Sequence, residues 1–166
     1  MLSTLQELIA IPSVETEPGG PGEPFGPDLA RALNYVLTWG QKNGFATKNR
    51  SGYAGHLEYG AGEETVGVLV HLDVVPAGDG WKYPPFSGQR AEERIYGRGA
   101  IDDKGPAIAA MYALKALKDE GVKLGKKIRI IFGCDEESGW QCMDHYFKHE
   151  PKPEYGFTPD AKFPLI

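Results

Sequence analysis

The sequence predicts an α/β layered fold on a mixed sheet. Two apolar, β-branched runs, VGVLVHL (66–72) and KIRIIFG (127–133), suit strands buried on both faces. Segments of helical spacing alternate with them, as in layered α/β domains. Short paired segments add hairpins, which makes the sheet mixed rather than purely parallel. A chain of 166 residues suits one domain, and at that length roughly 70% of the unfolded surface can be buried.

Taken in order, residues 2–10 carry Leu2, Leu5, Leu8 and Ile9 at helical spacing, with Ser3 or Thr4 able to cap and Pro12 ending the helix. Residues 13–27 are rich in Gly, Pro and Glu and read as a loop. Asp28 is the expected N-cap of a second helix whose stripe is Leu29, Ala32, Leu33, Val36 and Leu37 and whose stop is Gly44. Strands are expected at 45–49 and 53–59, joined by Ser51-Gly52, then at 66–72. A Pro/Gly/aromatic loop from Val74 to Gly88 leads to a hairpin of 89–92 with Arg94–Tyr96. A third helix covers about 104–120, with Pro106 in its first turn and Gly121 beyond its end. The 127–133 strand, a helix at 138–148 and a short strand Tyr155–Phe157 follow.

Apolar residues make up 41% and charged residues 25% of the chain, at a net charge of −5. That balance argues against a nucleic-acid partner. Lys123, Lys126, Lys127 and Arg129 read as a solvated strand entry rather than a binding stripe. No run approaches the length of a membrane span, and MLSTLQELIAIPS lacks the marks of a signal peptide. Cys134 and Cys142 form no Cys-x-x-Cys pair and suit buried thiols in a reducing compartment. A cytoplasmic protein is expected.

Four acidic sites share one position: His71 and Asp73, Asp102 and Asp103, Asp135 to Glu137, and Asp160 each fall at or just after the end of a predicted strand. Ligands of α/β sheets bind beyond the carboxyl ends of strands. Carboxylates gathered there raise one another's pKa, and a cation relieves the repulsion. Carboxylates with one imidazole suit zinc, with manganese or cobalt as alternatives. In His-x-Asp the two side chains share a strand face, so Asp73 can hold the outer nitrogen of a metal-bound His71. Each feature alone has a plain structural reading: a strand-end histidine, a helix-capping Asp pair, a solvated Glu pair. The conjunction is what points to a cation.

HLDVVPAGDGW (71–81), YGRGAIDDKGP (96–106), FGCDEESGW (132–140) and TPDAKFP (158–164) together resemble the co-catalytic-zinc metallopeptidases related to aminoacylase, succinyl-diaminopimelate desuccinylase and carnosinase. The likeness is greatest to the PepV-type, carnosinase-like dipeptidases. The resemblance implies a three-layer α/β/α zinc-peptidase-like catalytic domain, of which residues 1–166 form the N-terminal part. It implies two zincs, with His71 a terminal ligand, Asp73 its orienting partner, Asp102 the bridge, Glu136 the general base, Glu137 a ligand, and Asp160 a ligand on the zinc of His71. A cis peptide bond after the bridging Asp is part of the same pattern.

The family's last histidine ligand and its lid domain have no counterpart here. His56, His145 and His149 lie in no matching context, and the latter two read as solvent-facing. The resemblance therefore implies hydrolysis of dipeptides by a longer chain and weak catalysis or none by this portion. The partners it implies are small peptides; the oligomeric state stays open. A desuccinylase or acetylornithine-deacetylase activity of the same family, or a non-catalytic remnant, are the other readings.

Overall fold

The structure, a computed structural model, describes residues 1–160. Helices α1 (Leu2–Ile9), α2 (Pro27–Lys42), α3 (Lys104–Asp119) and α4 (Gln141–Tyr146) accompany strands β1 (Ala46–Arg50), β2 (Ala54–Tyr59), β3 (Thr65–His71), β4 (Gln89–Ala91), β5 (Arg94–Tyr96), β6 (Lys127–Gly133) and β7 (Tyr155–Phe157). Five strands form one sheet in the order β1-β2-β6-β3-β7, and β4-β5 stand apart as a hairpin. β1, β2 and β6 pair antiparallel, whereas β6, β3 and β7 run parallel. The expected α/β fold with a mixed sheet is the one found.

Strand parity sorts the two sheet faces. Leu57, Val68, Val70, Ile130 and Phe132 are buried in the core with Leu29, Leu33 and Val36 of α2 and Ile108 and Met111 of α3. The opposite face packs on α4 through His56 and Tyr146, so the sheet lies between two helical layers. At Gly67 a Cβ would come within 2.7 Å of Pro153, and its absence lets the segment entering β7 lie close on β3.

Several boundaries differ from expectation for local reasons. Helix α2 begins at Pro27, whose fixed φ suits the first helical position; Gly26, at φ 100°, takes the cap, and Asp28 sits in the first turn, paired with Arg31 at 3.1 Å. Neither Ser3 nor Thr4 caps α1, because the helix starts at Leu2 with Met1 at the cap and takes both into its first turn; the Thr4 hydroxyl bonds the Tyr112 hydroxyl at 2.7 Å. Helix α4 starts late: the Asp135 carboxylate accepts hydrogen bonds from Ser138 Oγ, Gly139 N–H and Gln141 N–H, and Trp140 adopts a left-handed φ of 59°. Arg129 is not solvated as expected. It lies buried on β6, donating to Glu58 and to the Pro151 carbonyl, while Glu150 nearby is ion-paired to Arg50.

The buried His56 shares a 2.7 Å hydrogen bond with the Tyr146 hydroxyl. Burial first, then the Arg129 charge, pushes its pKa down to about 4. The unfolded chain takes up this proton near 6.5 while the folded one resists it, so stability is full above pH 6.5 and falls as pH drops towards 4. The loss at the lower end is on the order of 3 kcal/mol. Urea midpoints measured from pH 7 to pH 4 should fall accordingly, and His56→Gln should flatten the decline.

Candidate metal centre

The three parallel strands β3, β6 and β7 end at one edge of the sheet, and the residues after each meet there. His71 is the last residue of β3 and only 3% exposed. Its Nδ1 faces Asp73, 3.0 Å from the backbone carbonyl and 3.3 Å from Oδ1. This leaves Nε2 pointing into the acidic cluster, 2.9 Å from Asp102 Oδ1, 3.7 Å from Asp160 Oδ2 and 4.0 Å from Glu136 Oε2. His71, Asp102 and Asp160 form one group with ligand atoms all within 4.8 Å of one another; His71, Glu136 and Glu137 form another.

Each residue is delivered by a local device. Asp73 Oδ2 accepts the Glu137 N–H at 2.8 Å, which ties the turn after β6 to the end of β3. The Asp135 carboxylate shapes that turn from within. Asp102 and Asp103 are joined by a cis peptide bond, and Asp103, fully buried, accepts the His71 backbone N–H at 3.0 Å through Oδ2. Asp160 follows β7 by three residues. The remainder of its motif, AKFP, lies outside the described residues.

The electrostatics are those of crowded acid. Burial works to lower the His71 pKa, yet the Asp73 carboxylate, with the charges of Asp103 and Asp102, holds it up at about 10. Burial, with Asp160 and Asp102 adding to it, pushes Asp103 up to about 7 against the pull of His71. Glu136 and Glu137 are raised by burial and by the neighbouring carboxylates. The buried Asp103 Oδ1 has no hydrogen-bond partner among the described residues, whereas Asp73 Oδ1 faces His71 Nδ1 at 3.3 Å. A surplus of negative charge, an imidazole nitrogen aimed into it and a buried carboxylate oxygen without a donor fit a divalent cation with N and O ligands.

His145 and His149 join no such group among the described residues. His145 is half-buried rather than solvent-facing, stacked on Tyr53 with ring centroids 4.1 Å apart. The sequence places Asp103 in the acidic cluster without showing that it holds the His71 backbone, and it does not single out Lys104. One signal for Lys104 was present: a cation in the first turn of a helix opposes the helix dipole and calls for another reason to be there.

Fold and site together define an α/β protein with a candidate divalent-cation site at the carboxyl edge of its sheet. The chain belongs to peptidase family M20/M25/M40, whose model matches residues 67–163. It is 53% identical over its whole length to the Bacillus subtilis (strain 168) protein named "Putative dipeptidase YtjP". Human carnosine dipeptidase 1 superposes on 96% of the chain with a TM-score of 0.79 at 27% identity. An M20 metallo-carboxypeptidase of Sulfolobus solfataricus, Sso-CP2, does so over 96% with the same TM-score at 26% identity. The chain spans 36% of the length of the first of these, 38% of the second and 37% of the third. No helix among the described residues is long and apolar enough to cross a membrane.

Proposed function

We propose that residues 1–166 are the N-terminal part of the catalytic domain of a cytoplasmic, zinc-dependent dipeptidase, with manganese or cobalt as alternative metals and two metals in the complete site. The observation that carries this reading is the convergence of Asp102, Glu136 and Asp160 on His71 Nε2, with Nδ1 already engaged by Asp73. The dipeptidase relatives favour small peptides as substrates.

His71, Asp102, Asp160 and Glu137 would hold the metals. Zinc at such a site polarises a scissile carbonyl and brings the pKa of a water towards about 7. Asp73 fixes the His71 tautomer and ring orientation. Glu136, its pKa raised by burial, takes the proton of the attacking water as the C–O bond forms. It then passes that proton to the amine as the C–N bond breaks. With two carboxylates and no further protein donor among the described residues, the Asp102–Glu137 pair makes a weak second site.

The test is a hydrolysis assay of the protein extended to the length of its relatives, with zinc, manganese and cobalt supplied separately. Unblocked dipeptides should be cleaved. Cleavage of N-succinyl or N-acetyl amino acids with dipeptides left intact would replace this reading by a deacylase.

A further inference from the structure

The segment Leu8–Glu15 is remote in sequence from every candidate ligand, yet it grips three of the loops that carry them. Ser13 is fully buried. Its Oγ donates to the Leu72 carbonyl at 2.6 Å, and its carbonyl accepts the Val74 N–H at 3.0 Å. The Val74 N–H belongs to the same peptide unit as the Asp73 carbonyl, which faces His71 Nδ1. That peptide is therefore held by Ser13 on one edge and by the histidine on the other.

On the next loop, Lys104 follows Asp102 and Asp103 directly and is fully buried. Its ammonium donates to the carbonyls of Leu8, at 3.1 Å, and Ile11, at 2.7 Å. Its stem packs under Gly99, whose φ of 85° suits glycine. On the third loop, Ser138 donates to the Glu15 carboxylate, one residue beyond Glu137. A buried ammonium satisfied only by neutral carbonyls is costly to keep charged, and methionine would fill its space without that cost. What methionine lacks is the ability to anchor the chain after Asp103 to the end of α1.

We propose that Ser13 and Lys104 are positioning residues of the metal centre. The N-terminal segment is a brace that sets the Asp73 peptide behind His71 and the Asp102 turn in front of it. This inference rests on the metal reading above. Metal sites demand placement within about 0.5 Å, and support around a ligand changes metal affinity by about 10–100-fold.

Cobalt titration of the 166-residue chain, followed by visible absorption, tests it. Ser13→Ala and Lys104→Met should each weaken cobalt binding by about 10-fold or more and alter the ligand-field spectrum. Ser13→Thr, which keeps the hydroxyl, should restore both. Val36→Ala in α2 serves as the control, since it lowers stability through the core and should leave affinity and spectrum as they were. Unchanged affinity and spectrum in Ser13→Ala and Lys104→Met would overturn the brace, as would an equal weakening in Val36→Ala. A parent chain that binds no cobalt would overturn the metal reading, and the brace with it.

Discussion

Replacing Glu136 by glutamine in the protein extended to its relatives' length should lower kcat by about 10²–10⁴-fold, the range a positioned general base contributes, with metal content unchanged. The side chain lies 4.0 Å from His71 Nε2 at the rim of the cluster and is 29% exposed. Its pKa, raised by burial, lies closer to that of the water it would deprotonate under the proposed function. Glu137 differs: its backbone is tied to Asp73, and its carboxylate is assigned to hold metal. Kinetics together with metal analysis of Glu136→Gln and Glu137→Gln separates the two. If Glu136→Gln lost its metal and Glu137→Gln kept it, the assignment of the pair would be reversed.

His71→Ala should abolish metal binding by the 166-residue chain. His71 is common to the two groups of converging donors, and its removal leaves only carboxylates, whose mutual repulsion then lacks even the imidazole to moderate it. The loss should exceed the about 10–100-fold that follows removal of an outer-sphere partner. Calorimetric titration with zinc should show one site for the parent chain and none for the variant. Two tight sites in the parent, or binding retained by His71→Ala, would contradict the ligand set.

Much of this site was legible because β3, β6 and β7 announce themselves by composition, and strand ends in α/β proteins point to ligand sites. β6 matched its sequence-derived limits, since Lys127 and Gly133 bound a run that is apolar apart from Arg129. What stayed hidden depends on contacts between distant segments. Nothing local in 127–133 says that it inserts between β2 and β3. Arg129 reads as a surface cation until Glu58 and Glu150 close around it. The shortening of α4 comes from one side chain, Asp135, outcompeting the helix for its own backbone donors. Ser13 is a plain loop residue in the sequence, and its bonds to Leu72 and Val74 span about sixty positions.

The attachment of β7 has a consequence for how tightly a metal would be held. The strand pairs with β3 over only three residues, Val66–Tyr155, Gly67–Gly156 and Val68–Phe157, one of them glycine against glycine. Tyr155 and Phe157 are exposed, so little apolar burial adds to that ladder. Asp160 rides on this short, lightly fastened strip. An ion shared by His71 and Asp160 would therefore rivet the strip to the rest of the sheet, and every transient peeling of β7 would open an exit for the ion. Dissociation rate and amide exchange in 155–157 would then report one and the same opening.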